Sequence, residues 1–461
     1  MHYGTFGVDS GLQCEPICVS KSLRSSCDLG LSRLQNGSSA KRRKLMGENG
    51  RDLKVIIAER LLDGASNEVI HKAAVLIKGS TISWVGPEKD LRMPEGVVYQ
   101  TCTYPGQTIL PGLVDVHTHM NLPGDGTIVE ETASETDEML LLRSVMNGRN
   151  HFEAGVTTAR ENGAKNQTAF ALKNGIDQGF IPGPRMVVCG RPITISGGHC
   201  WFFGGEVDGV VGVRRAVRQL VKEGADYIKL MATGGGTRTS YSHLPAFTVE
   251  ELRAVTDEAH SFGKFVAMHA TATQGIINAL DAGADMLVHS NFYDPDGTYR
   301  FAPEVAERIA RQEVWVNPTL HVGRSRVWRG DALEQAGLLT PEERKALSAT
   351  KADYERRRNG CEKLIESGCK VVAGSDGGWG VYPLGEFQWE IDALSEAGMP
   401  NRDCIRVATA KAATSIGMDH LVGSIEVGKE ADLIVVDGDP LQDIRALRNV
   451  VAVFKGGFQY K

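Results

Sequence analysis

Six residues able to bind or activate a metal ion are spread over about 260 positions, each closing a short apolar run. They are His117 and His119 in Leu-Val-Asp-Val-His-Thr-His, Lys229 in Tyr-Ile-Lys-Leu-Met-Ala, His269 in Val-Ala-Met-His-Ala, His289 in Met-Leu-Val-His-Ser and Asp376 in Val-Ala-Gly-Ser-Asp. The two-residue period of a strand puts His117 and His119 on one face, where both imidazoles can grip one ion. Asp115 points the same way, as a partner orienting an imidazole or as a hydrogen-bonded core carboxylate. An ammonium inside the Lys229 run is costly to bury. Burial lowers its pKa and makes the amine nucleophilic, able to add carbon dioxide and form a carbamate whose two oxygens can bridge two metal ions. A lysine snorkelling at a barrel rim and a Schiff-base lysine are the other readings of Lys229, the second disfavoured by the surrounding histidines. His269 and His289 lie 20 residues apart, the length of one strand-helix repeat, so neighbouring strands would set them side by side. Asp376, followed by Gly377 and Gly378, can touch a metal with one oxygen and take a proton from activated water with the other. The combined pattern is that of a two-metal hydrolase.

Such residues can meet only if the fold gathers strand ends. Apolar strand candidates at 113–117, 156–159, 186–189, 226–231, 265–269, 286–289, 314–317 and 371–374 alternate with helical patterns. Eight strands with intervening helices predict an α/β fold, a (β/α)8 TIM-type barrel over 109–417, whose strand C-termini converge on one mouth. One helix is well marked: Thr248 and Glu251 form a capping box, Leu252, Val255 and Ala259 an apolar stripe, and Gly263 the stop. Short β-type runs between 53 and 108, and again between 418 and 461, predict a small β-sandwich domain built from both ends of the chain. Residues 1–52, rich in Ser, Gly and charge and carrying the basic run Lys41-Arg42-Arg43-Lys44, read as a flexible N-terminal extension. That run is a solvated tail more readily than a nuclear address.

The bulk numbers limit the partners. With 461 residues, 42% apolar, 23% charged and a formal net charge of -6, the chain has no global attraction for nucleic acid or anionic membrane, and a small molecule is the expected partner. Nine cysteines, an odd number with no Cys-x-x-Cys pair, point to a reducing compartment. No apolar run approaches the roughly 20 residues of a membrane span, and no signal-peptide layout is present, so a cytoplasmic location is expected.

The segment Pro111-Gly-Leu-Val-Asp-Val-His-Thr-His119, the lysine strand followed by Ala232-Thr-Gly-Gly-Gly236, both single histidines, Gly-Ser-Asp376 and Gly423-Ser-Ile-Glu-Val-Gly-Lys-Glu-Ala-Asp-Leu-Ile434 resemble the amidohydrolase superfamily in its two-metal, carbamylated-lysine branch. Within it the chain is similar to the group holding imidazolonepropionase-like proteins, Xaa-Pro and Xaa-Arg dipeptidases and ochratoxin-hydrolysing amidases. The resemblance implies hydrolysis of a non-cyclic amide between an acyl group and an amino acid, two divalent ions, usually zinc, and a homo-oligomer. It implies that His117 and His119 hold one ion and His269 and His289 the other, that N6-carboxylated Lys229 bridges them, and that Asp376 shuttles the proton for a bridging hydroxide. Tyr227 and His199 resemble pocket-lining positions that help bind a substrate carboxylate. His321 and Arg238 are candidates by location alone, with ordinary surface roles as the alternative. Trp201, Phe202 and Phe203 form either an aromatic wall or buried packing. Arg160-Glu161, where relatives often carry Arg-Asp, and the acidic Glu130, Glu131 and Glu135 depart from the pattern. The rival readings are a cyclic-amide or lactone hydrolase, a metal-dependent decarboxylase or deaminase, and a non-catalytic barrel.

Overall fold

Runs of Val, Ile, Leu and Met without internal polar alternation suit strands buried on both faces, as parallel strands are. In the computed structural model, which describes residues 53–93 and 95–461, every such run is a strand or leads into one; the extension and basic run expected within 1–52 lie outside the described residues. Four strands come first: β1 (Leu53–Leu61), β2 (Ile70–Lys78), β3 (Thr81–Pro87) and β4 (Gln100–Pro111). The eight barrel strands follow: β5 (Leu113–Thr118), β6 (Val156–Glu161), β7 (Arg185–Val188), β8 (Ile228–Met231), β9 (Val266–Ala272), β10 (Met286–Tyr293), β11 (Trp315–Asn317) and β12 (Lys370–Val371). The chain then returns through β13 (Leu433–Val436), β14 (Val450–Lys455) and β15 (Phe458–Gln459).

The barrel strands are all parallel, in the orders β5-β6-β7 and β8-β9-β10-β11-β12. Single contacts join these two arcs at both seams. At one, Asp226 N–H donates to Val188 O (2.8 Å) and Ile193 bridges Leu230; at the other, Val116 N–H donates to Ala373 O (3.4 Å) and Thr118 bridges Gly377. Helices fill the connections. Val249–Ser261 starts at the expected capping box, Thr248 Oγ1 accepting from Glu251 N while the Glu251 carboxylate accepts from Thr248 N. Among the described residues no helix is long and apolar enough to cross a membrane, and all six cysteines are unpaired.

The two chain ends build one seven-stranded sheet, β15-β14-β13-β4-β1-β2-β3, in which Leu433 on β13 pairs with Pro111 on β4. The sandwich expected there is this single sheet folded back on itself. Ala431 N–H donates to Ser80 O (2.7 Å) and Ile82 N–H to Lys429 O (2.9 Å), and Ile56, Val75, Ile82, Leu433 and Phe454 share one apolar cluster. β4 passes into the first barrel strand through Gly112 alone. A Cβ there would lie 2.1 Å from Thr157 Oγ1, so only glycine lets the strands approach.

Candidate metal centre

His117 lies near the end of β5 and His119 directly follows its last residue, and the atoms behind each ring decide what it presents. His117 Nδ1 meets Asn317 Oδ1 at 2.9 Å; the Asn317 amide donates to Gly374 O (3.1 Å), so its oxygen faces the imidazole. His119 Nδ1 meets Gly163 O at 3.1 Å. Both partners accept, so each Nδ1 carries the proton and each Nε2 offers a bare lone pair. Those two Nε2 atoms lie 3.3 Å apart, and Asp376 Oδ1 lies 3.2 Å from the first and 3.3 Å from the second. Burial, then the Lys229 charge, hold the His117 pKa well below its usual range, so protonation does not relieve the crowding. Three acceptors this close suit a cation: tetrahedral coordination with bonds of about 2.1 Å spaces its ligands about 3.4 Å apart. His117, His119 and Asp376 are the group of buried ligand atoms close enough to share an ion among the described residues.

The Asp376 turn is fastened to β5. Asp376 N–H donates to His117 O (2.7 Å), Ser375 Oγ to the same carbonyl (3.0 Å), and Asp376 takes φ +57°. Asp115 is the tie beneath them, a core carboxylate. Its Oδ1 accepts from His117 N (3.0 Å) and Ser375 N (2.9 Å), while Oδ2 pairs with His151 Nε2 (3.0 Å).

The second half of the site faces this triad. The His269 and His289 rings are 4.6 Å apart, and His289 is 5.7 Å from His117. His289 stands at φ +76°, strained for a non-glycine residue, with Nδ1 2.6 Å from Thr319 Oγ1. His269 Nε2 is 3.0 Å from Gly234 O. Burial foremost holds both imidazoles well below their usual pKa and therefore neutral, as ligands must be. Lys229 is 1% exposed and its amine meets Asn162 Oδ1 only at 3.4 Å. Burial brings it down to about 8 against the opposing pull of Asp376. Its charge acts on His117, His199, His269 and His289, which places all six residues of the sequence pattern in one cluster.

Of the further candidates, His199 joins this cluster. Its ring is 4.5 Å from His269 and 5.3 Å from Trp379, its Nδ1 2.8 Å from Thr237 Oγ1, and a Cβ at Gly235 would lie 2.5 Å from it. Tyr227 does not line the mouth. It faces inward like Lys229 but one layer deeper, donating to Glu161 O (2.7 Å) under the Arg160 guanidinium. His321 is buried sideways, its Nδ1 accepting from Arg324 Nε (3.0 Å) and its ring 4.5 Å from Tyr382 and 5.1 Å from Trp328. Arg238 is exposed, and its backbone N–H donates to Glu130 Oε1 (2.8 Å); Glu135 is spent on Arg143 (2.8 and 2.7 Å). Phe202 and Phe203 are buried packing, Phe203 stacked 6.0 Å from His119, whereas Trp201 is half-buried. Glu161 lies beneath the mouth, accepting from Met120 N (2.8 Å), with its carboxyl raised by burial to about 7. Sequence reasoning passed over Asn162, Asn317, Thr319 and Trp379. The first three follow or end barrel strands, a signal that marks mouth positions; Trp379 had only its nearness to Asp376.

A parallel barrel that gathers imidazoles, a carboxylate and a desolvated lysine at its strand ends defines a metal-dependent hydrolase. The Amidohydrolase family profile matches residues 108–458, and the chain belongs to that family. It is similar to ochratoxinase of Aspergillus niger, 28% identical over 91% of this chain and 89% of that protein. It is also similar to imidazolonepropionase of Symbiobacterium thermophilum, 24% identical over 82% and 86%. Among solved structures, a Xaa-Pro dipeptidase with methionine bound in its active site superposes with a TM-score of 0.78 at 29% identity, over 89% of this chain and all of that one. The Aspergillus niger ochratoxinase structure gives 0.73 at 25%, over 89% and 95%. The protein is accordingly a metal-dependent hydrolase of carbon–nitrogen amide bonds in small molecules.

Proposed function

We propose that the protein hydrolyses the amide bond of N-acyl amino acids or dipeptide-like molecules with two zinc ions. In this reading His117 and His119 would hold one ion and His269 and His289 the other, and Lys229, once carboxylated on its Nζ, would serve both as a shared ligand. The observation that carries it is the convergence of two bare Nε2 atoms and a carboxylate oxygen within 3.3 Å. Lys229 supports the bridge by its burial and its single long hydrogen bond, which leave room and reason for a carbamate. Two divalent ions bound there would supply Lewis acidity to the scissile carbonyl and lower the pKa of water toward about 7.

The chain's own residues supply the rest. Asp376, with Oδ1 turned to the imidazoles, keeps its second oxygen to accept the proton of the attacking water and return it to the departing amine. Asn317, Gly163 and Thr319 hold ring orientations from behind. Trp379 and Phe203 wall the site with apolar surface. An amino acid as the leaving group is supported by likeness to a dipeptidase that holds methionine in its active site.

The test is amino-acid release from a panel of N-acyl amino acids and dipeptides by zinc-loaded protein in bicarbonate buffer, against a chelator-treated control. Metal-dependent release is expected. Silence from protein shown to carry two metals would overturn this reading in favour of cyclic amides or lactones, which the same site could attack.

A further inference from the structure

One arginine near the mouth is not accounted for by the contacts described above. Arg326 sits on the helix Leu320–Gln335, which begins right after Thr319, the residue bonded to His289. Its guanidinium lies against the loop that follows Asp376: a Cβ on Gly380 would be 3.3 Å from Arg326 Nε and 3.4 Å from its terminal nitrogen. The preceding residue, Trp379, leans on His119 at 5.9 Å and His199 at 5.3 Å. Arg326 is therefore part of the wall on the Asp376 side.

Among the described residues Arg326 has no hydrogen-bond or ion-pair partner at short range. The carboxylate in reach, Asp353, is already taken: Arg357 Nε stands 2.8 Å from it, Tyr293 O–H donates to it at 2.8 Å, and Arg356 lies 3.7 Å away. Two guanidinium groups and a tyrosine hydroxyl thus share one acid. The residue is exposed to solvent, with its guanidinium resting on the loop that follows Asp376. Burial, then Arg357, push its pKa down, and only the Asp376, Asp353 and Tyr293 charges oppose them. A guanidinium that faces solvent without a fixed acid keeps its five-donor fork free for an arriving anion. Meanwhile Tyr227, the sequence candidate for a substrate carboxylate, has its hydroxyl committed to Glu161 O.

We propose that Arg326 receives the carboxylate of the substrate's amino-acid half, so that the substrate class is N-acyl amino acids and dipeptides with a free carboxylate. This rests on the amidase reading above. It makes Arg326 the residue that selects acids over their neutral amides, by a bidentate pair that lysine reproduces only as a point charge.

The experiment uses full-length, zinc-loaded protein, wild type and the R326M and R326K variants. The probes are N-benzoyl glycine, N-benzoyl phenylalanine and N-benzoyl proline, each paired with its carboxamide. Binding is read by calorimetry and hydrolysis by kcat/KM, with metal content and thermal unfolding recorded for each variant. Wild type is expected to prefer the acid by about 10²-fold in at least one pair, R326M to lose most of that preference, and R326K to retain part of it. Equal treatment of acid and carboxamide by wild type, binding of no probe, or full acid preference in R326M would overturn the proposal. Collapse of the binding preference in R326M without hydrolysis of any pair would keep the anion site and sink the amidase reading. Hydrolysis with undiminished preference in R326M would do the reverse. Should R326M fail to fold, R326K alone decides, because a preference equal to wild type in that variant refutes a bidentate seat.

Discussion

Replacing Asp115 by asparagine tests whether the metal centre depends on the tie beneath it. The carboxylate is fully buried and takes three donors, His117 N–H, Ser375 N–H and His151 Nε2–H, at 3.0, 2.9 and 3.0 Å. Asparagine can keep its oxygen on the two backbone amides, but its NH2 group then faces the His151 proton. The imidazole cannot yield by changing tautomer, because Gly385 N–H already donates to its Nδ1 at 3.1 Å. One donor must face another in either arrangement, at a cost of about 1–3 kcal/mol, and loss of the charge weakens the two backbone bonds by about 1 kcal/mol more. D115N should therefore lose roughly 2–4 kcal/mol of stability. Since the same two amides hold His117 and the Asp376 turn in register, metal affinity should fall about 10- to 100-fold, as it does when groups behind a ligand are disturbed. Competition with a zinc chelator reads the affinity, and the urea midpoint reads the stability. A variant matching wild type in both would refute the reasoning; a lower midpoint with unchanged affinity would confine Asp115 to folding.

Further outcomes are expected. K229A should lose most activity and regain part of it with added short carboxylic acids; full activity without them would remove the carbamate bridge. D376N should turn over at least about 10²-fold more slowly while keeping much of its metal, and a near-normal kcat would reject its role in proton transfer. Lys455 offers a pH test away from the site. Burial brings its amine to about 8 from the ordinary 10.5, so between those values the unfolded chain holds a proton that the folded chain has released. Its contribution to stability is then least favourable below about 8 and improves as pH rises toward 10.5. The stability of wild type relative to K455M should accordingly rise from pH 8 to pH 10, and a constant difference would show that the amine is not shifted.

The eight barrel strands were legible because parallel strands buried on both faces leave short, unbroken apolar text, and each predicted run lies on or beside an observed strand. The gathering of the candidate ligands was legible because chemistry-bearing residues at the ends of such runs have one place to go. What failed was depth and direction. Tyr227 shares the inward face with Lys229, as the two-residue period requires, but the period says nothing about which layer of the barrel a side chain fills. His321 follows β11 as expected, yet the helix starts at Leu320 and turns the ring into the Trp328 and Tyr382 packing. Arg326 could not be found at all, since its significance lies in a missing partner, and a missing partner is a property of the packed helices around it.

The pairing of β13 with β4 has a consequence for how the protein is made. Pro111 and Leu433 sit opposite each other in the sheet, yet about 320 residues separate them in the chain. At synthesis rates of roughly 5–20 residues per second, the flank of β4 stays bare for roughly 15–65 seconds while the barrel emerges. An uncovered strand edge is a template for pairing with another chain. Until the last strands arrive, each nascent copy carries a sticky flank, and crowding of ribosomes on one message would favour clumping. Slowing initiation, or supplying the 418–461 segment as a separate peptide during translation, should raise the soluble yield.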